Sequence, residues 1–150
     1  MPARVLQLAG PADCEELLGW LARFNAESEY PFDAGRARGA LGELLARPEL
    51  GRVYRIVEGG ACAGYVALTL GFSLEWGGRD AFVDEIYLDP AWRGRGLARA
   101  ALAELLDEAR ALGVNAVHLE VEPDNAPAQS LYRHAGFTST GRHLYTHRLR

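Results

Sequence analysis

Apolar residues recur along the chain in two rhythms, a helical period and a strand alternation, and together they divide it into a short series of elements. Val5-Leu6-Gln7-Leu8 predicts a first strand. Pro11-Ala12-Asp13 offers a helix cap, and Leu17, Leu18, Leu21 and Phe24 follow at helical spacing. The polar stretch Asn25–Asp33 carries two glutamates and Pro31, and reads as a loop. Ala37 to Ala46, with Leu41, Leu44 and Leu45, reads as a second helix stopped before Pro48. Two β-like runs, Arg52–Glu58 and Ala61–Gly71, flank Gly59-Gly60, which signals a hairpin. Phe72–Asp80 reads as a loop around Gly77-Gly78, and Ala81–Leu88 as the next strand, ended by Asp89-Pro90. Leu97, Ala101, Leu105 and Leu112, with Leu102, Leu106 and Ala109, line one side of a long helix that Gly113 closes. Ala116–Val121 predicts another strand, Ala126–His134 a short helix, and Phe137–Thr140 with Leu144–Leu149 a final strand pair. No repeat, low-complexity run or linker divides the 150 residues, so one domain is expected. The order of elements predicts an α/β fold, a mixed sheet with helices packed on it.

Composition narrows the function classes. A net charge of −4 argues against a general nucleic-acid binder. All sixteen positive side chains are arginine, which accompanies abundant alanine and reads as compositional bias. Cys14 and Cys62 lie far apart without metal-ligand spacing, and neither they nor His118, His134, His143 and His147 suggest a metal site or a nucleophile pair. Behind Met1-Pro2-Ala3-Arg4 there is no apolar signal core, and no run reaches membrane-spanning length. A cytoplasmic protein with no membrane partner is expected.

The segment Arg93-Gly94-Arg95-Gly96-Leu97-Ala98 joins a predicted strand to a predicted helix. Its glycines allow a tight turn and close approach of a ligand. The helix start beyond them offers unpaired N–H groups and a positive dipole end, which suits a phosphate or pyrophosphate. A nucleotide P-loop would need a lysine after the glycines, and the chain has none. A dinucleotide fingerprint would need a third small residue where Arg99 stands.

The pattern Arg-x-x-Gly-x-Ala, from Arg93 through Gly96 to Ala98, resembles the acetyl-coenzyme A turn of the GNAT superfamily of N-acetyltransferases. Val83-Asp84-Glu85-Ile86-Tyr87-Leu88-Asp89-Pro90 looks like that family's central strand and its exit. Glu122-Pro123-Asp124-Asn125 and Ser130-Leu131-Tyr132-Arg133-His134-Ala135-Gly136-Phe137 look like its asparagine, tyrosine and glycine–aromatic signature. The match runs from Phe82 to Phe137. The resemblance implies a mostly antiparallel mixed sheet, splayed between its fourth and fifth strands, with helices on both faces. It implies acetyl-coenzyme A as co-substrate, no metal, and an N-acetyltransferase that uses direct attack by an amine. The pantetheine arm would pair with the strand at Ile86, Tyr87 and Leu88, aided by Asn125. The pyrophosphate would lie on Gly94, Arg95, Gly96, Leu97, Ala98 and Arg99, with Arg93 and Arg95 adding charge. Asn125 also suits a helix N-cap, and Arg99 a solvated position.

Amine acetylation needs a neutral amine, a stabilised oxyanion and a proton for the leaving thiolate. Tyr132 resembles the family's acid. For the base, Asp84 and Glu85 are both candidates, with Glu85 slightly favoured. Neighbours in a strand face opposite sides, but a β-bulge would reverse the alternation. The Leu88 N–H is the simplest oxyanion donor. The acceptor region implied by the resemblance holds Glu27, Glu29, Tyr30, Phe32, Asp33, Phe72, Glu75 and Trp76. Carboxylates among aromatics suit a cationic amine, so a small-molecule amine is the expected partner. A catalytically silent acyl-coenzyme A sensor and a protein or peptide N-acetyltransferase are the alternatives. The resemblance allows a homodimer, for which no interface is legible in the sequence.

Overall fold

The computed structural model describes residues 3–150; Met1 and Pro2 of the Met1–Arg4 segment, where no leader is expected, lie outside the described residues. The chain divides into two compact units, one ending at Glu120 and one spanning Val121–Arg150.

The first unit holds a sheet of five strands in sequence order. They are β1 (Leu6–Leu8), β2 (Gly51–Glu58), β3 (Ala61–Ser73), β4 (Gly78–Leu88) and β5 (Ala116–His118). The first four pair antiparallel. The last pair is parallel and short, matching Asp80, Ala81 and Phe82 with Ala116, Val117 and His118. Beyond Phe82, β4 continues for six residues to Leu88 with no strand paired on that edge among the described residues. This is the splay between the fourth and fifth strands.

Helices cover both faces. On β2, Val53 joins a core with Leu17 and Leu18 of α1 (Cys14–Glu27) and Leu41 of α2 (Ala34–Ala46). The next residue, Tyr54, points the other way, as strand alternation requires, and its hydroxyl donates to Glu108 of α3 (Leu97–Ala111) at 3.4 Å. Burial and Glu108 push the Tyr54 phenol up to about 12. Glu104 of α3 accepts the N–H groups of Val5 and Leu6 at 2.8 and 2.9 Å, tying the helix to the β1 edge. The apolar stripe of α3, Leu97, Ala101, Leu102, Leu105 and Ala109, is buried.

In the first unit the elements form close to where their patterns predict, except that of the strand expected at Ala116–Val121 only Ala116–His118 forms. The segment Asn25–Asp33 is shorter as a loop than expected, because α1 runs on to Glu27 and α2 begins at Ala34 behind an Asp33 N-cap. The Phe72–Asp80 loop is shorter too, since β3 and β4 extend to Ser73 and from Gly78. Backbone pairing carries these strands past the point where the apolar alternation fades.

The second unit contains α4 (Ala126–His134). The predicted strand pair at Phe137–Thr140 and Leu144–Leu149 does not form, and Leu144, Tyr145 and Leu149 are 63, 92 and 87% exposed. Alternation shows that a segment is compatible with a strand, but a strand also needs a ladder partner.

Candidate active site

The exit of β4 carries the candidate acid–base residues. Pairing with β3 runs in register from the hairpin to Leu68–Val83, then shifts so that Ala67 lies opposite Glu85. Asp84 is therefore the extra residue of a β-bulge. The shift aligns Glu85 with Ala67, on the face where Tyr65, Ala67 and Tyr87 join the α1–α2 core. Glu85 accepts a hydrogen bond from the Tyr65 hydroxyl at 2.8 Å. Burial raises the carboxyl pKa of both acids; at Glu85 the Tyr65 bond opposes the rise and the charge of Asp84 adds to it. Two carboxylates with raised pKa values in a strand exit are candidates for proton transfer.

The free edge of β4 has a defined polarity. The Asp89 N–H donates to the Ala63 carbonyl on β3, so alternation turns the N–H and C=O groups of Leu88 and Ile86 toward the splay. The Leu88 carbonyl accepts from Arg93 Nε at 3.0 Å, leaving the Leu88 and Ile86 N–H groups along the open edge. Gly64 lies opposite Leu88, and a Cβ there would fall on the Tyr87 carbonyl oxygen. The close approach of β3 to β4 at the site therefore requires glycine.

Beyond Leu88 comes a 3-10 turn, Pro90–Trp92, capped by Asp89, whose Oδ1 accepts the Ala91 N–H at 3.1 Å. Gly94 and Gly96 follow with φ of 79° and 78°, both left-handed. Gly96 is the N-cap of α3, and Ala100 makes the N–H bond back to its carbonyl. The N–H groups of Leu97, Ala98 and Arg99 thus lie ahead of the first helical bond. Left-handed glycines leading into a helix start make an anion cradle of backbone groups.

The arginines of this turn have protein partners. Arg93 Nη1 and Nη2 meet the two oxygens of Glu27 at 2.7 and 2.9 Å, which holds the Glu27 carboxyl below its ordinary range. The same guanidinium lies 5.5 Å from the Tyr87 ring. Arg95 sits 5.1 Å from the Trp92 ring and 3.9 Å from Glu58. Arg99 is exposed.

The candidate acceptor residues are only partly brought together. The Tyr30 ring packs 6.1 Å from Phe24, and Phe24 6.0 Å from Tyr87. Phe32 is exposed, and Glu75 lies in the β3–β4 turn beside Trp76. Trp76 packs 5.9 Å from His118, which also touches Phe82 at 5.1 Å and pairs with Asp80 at 3.1 Å. Asp80, Phe82, His118 and Tyr65 were not singled out from the sequence as site residues. Only the parallel β4–β5 register and the bulge place them on this face.

In the second unit, Asn125 caps α4, its Oδ1 accepting the Ala128 N–H at 3.2 Å. Tyr132 is half-buried against Phe137 at 6.1 Å, and burial raises its phenol pKa. Among the described residues there is no cluster able to hold a metal ion, and no helix is long and apolar enough to cross a membrane.

The model of the acetyltransferase (GNAT) family matches residues 14–137. The chain belongs to the GNAT family. Among GNAT relatives, it is similar to mycothiol acetyltransferase from Beutenbergia cavernae, 49% identical over 67 residues, 43% of this chain and 23% of that protein. It is 41% identical over 87 residues to the N-alpha-acetyltransferase RimI of Mycobacterium tuberculosis, 56% of this chain and 50% of the relative. The chain thus spans half or less of the length of these two relatives. An integron cassette protein from the mobile metagenome of Cole Harbour Salt Marsh shares the fold, with TM-score 0.88, 35% identity, 97% of this chain and 91% of that chain covered.

Proposed function

We propose that this GNAT chain is an N-acetyltransferase that moves the acetyl group of acetyl-coenzyme A to a primary amine, by direct attack and without an acyl-enzyme. The observation that carries the reading is the open β4 edge, with the Ile86 and Leu88 N–H groups along it, running into the left-handed Gly94–Gly96 turn. An extended arm ending in a pyrophosphate suits that combination. When bound, acetyl-coenzyme A supplies the activated acetyl group. The Leu88 N–H stabilises charge on the acetyl oxygen, and Glu85, with Asp84 beside it, takes the amine proton directly or through water. Tyr132 gives a proton to the departing sulfur, and Asn125 bonds the pantetheine arm; both roles rest on the sequence motif.

The acceptor we infer is a small cationic amine. Glu27 is occupied by Arg93, so attraction for the cation falls to Asp84 and Glu85, with the rings of Phe82 on the same strand, His118 on β5 and Trp76 in the β3–β4 turn. A thiol-release assay across polyamines, amino sugars, basic amino acids and a peptide amine tests this, beside calorimetric titration with acetyl-coenzyme A, NAD and ATP. Turnover with a small amine is expected. No binding of acetyl-coenzyme A overturns the enzyme reading. Tight binding with no turnover on any amine makes the chain a sensor. Turnover confined to the peptide replaces the small amine with a protein terminus, the acceptor class that the RimI likeness favours.

A further inference from the structure

We propose that Tyr65 is a positioning residue for Glu85, orienting one carboxylate oxygen so that the other is presented to the acceptor amine; this rests on the acetyl-transfer reading above. Tyr65 is the largest fully buried side chain of the described residues, and no buried side-chain polar atom among them lacks a partner. Its ring is fixed by the core of Leu17, Leu18, Leu41 and Val53 and by Tyr87, 6.4 Å away. A hydroxyl on a ring so held has little freedom, and it donates to Glu85 Oε1 at 2.8 Å. Tyr65 pairs across the ladder with Tyr87, while its hydroxyl reaches the residue opposite Ala67. The bulge at Asp84 puts Glu85 in that place, and a side chain as small as Ala67 leaves the carboxylate room. A carboxylate with one oxygen held by a fixed donor has its rotamer set, which is what a general base requires.

The charged neighbourhood is sparse. Asp84 and Tyr87 flank Glu85 on β4, and Tyr65 faces it from β3. The core side chains of α1 and α2 on this face are apolar apart from Cys14, and the nearby Arg23 and Arg93 are paired with Asp89 and Glu27. Among the described residues, the Tyr65 bond is thus the contact that favours the ionised form of Glu85.

Tyr65→Phe keeps the ring and removes only the bond. Two readouts test the proposal. In a carboxyl NMR titration, with Glu85 assigned by Glu85→Gln, the Glu85 midpoint should rise in Tyr65→Phe. The acid limb of the kcat/KM profile should move up with it, with a loss of about tenfold or more on that limb, as expected for one charge-assisted bond. In the Glu85→Gln background, Tyr65→Phe should cost no further turnover. An unmoved Glu85 titration, or equal losses in both backgrounds, overturns the proposal. Absence of turnover in the wild-type chain would instead overturn the acetyl-transfer reading, while the titration would still decide whether Tyr65 controls Glu85.

Discussion

Glu85 is asked to be reactive in a place that disfavours its charge. Burial raises its carboxyl pKa above the ordinary value of 4.5, so the folded chain holds the proton more tightly than the unfolded chain does. The contribution of such a group to stability is full below the unfolded pKa and is lost as pH rises through the folded one. Glu85→Gln removes that loss and keeps an oxygen for the Tyr65 hydroxyl. Melting curves should therefore show the variant more stable than wild type at neutral pH and no more stable below the unfolded pKa. Its kcat/KM should fall by about 10²–10⁴-fold, the usual worth of a general base. A variant that loses stability and keeps activity would move the role to Asp84. Tyr132 makes the complementary case. Tyr132→Phe keeps the packing against Phe137 and removes the proton. Turnover should fall by about 10²-fold or more while the Kd for acetyl-coenzyme A, read by calorimetry, stays within about twofold.

At the scale of elements, the bulge and the glycine turn do the positioning, and they differ in how far the sequence reveals them. The turn is legible: glycines at 94 and 96 before a helical stripe announce a left-handed entry to a helix, and both φ values are near +80°. The bulge is not. Counted from the Gly77-Gly78 hairpin, an unbroken ladder would pair Ala67 with Asp84 and Tyr65 with Ile86. The shift after Leu68–Val83 moves each partner by one residue and places Tyr65 within reach of Glu85. Neither local propensity nor alternation marks where an extra residue enters, so the sequence does not show which of Asp84 and Glu85 lies opposite Ala67. The final strand pair failed for a related reason, since pairing is a property of two segments and the sequence shows each alone. The two glycine classes separate by experiment. A Cβ at Gly96 meets nothing within 4 Å, so Gly96→Ala costs only the left-handed backbone, about 1–2 kcal/mol. The chain should stay folded, and the Kd for acetyl-coenzyme A should weaken by about tenfold as the cradle relaxes. Gly64→Ala puts a methyl group on the Tyr87 carbonyl and should cost more than the roughly 1–3 kcal/mol of ordinary overpacking, seen as loss of the cooperative melt.

For the molecule as a whole, the charge balance and the committed arginines constrain how an anionic ligand is held. The chain carries a net charge of −4, and Arg93 and Arg95 already meet Glu27 and Glu58. Long-range attraction for a polyphosphate is therefore weak, and the affinity proposed here comes from backbone N–H groups fixed by the fold. A ligand held by groups that exist only in the folded chain stabilises it by mass action. At a hundredfold excess over Kd the gain is about 2.7 kcal/mol, which for a chain of this size raises Tm by roughly 5–10 °C. Coenzyme A should match acetyl-coenzyme A closely, because the cradle and the open edge address the pyrophosphate and the pantetheine arm rather than the acetyl group. NAD and ATP should give no comparable shift, since they carry phosphates without an arm that can pair with Ile86 and Leu88. A thermal-shift series with the four ligands checks this. An ATP shift equal to that of coenzyme A would mean that the turn binds phosphate alone and that the β4 edge plays no part in recognition.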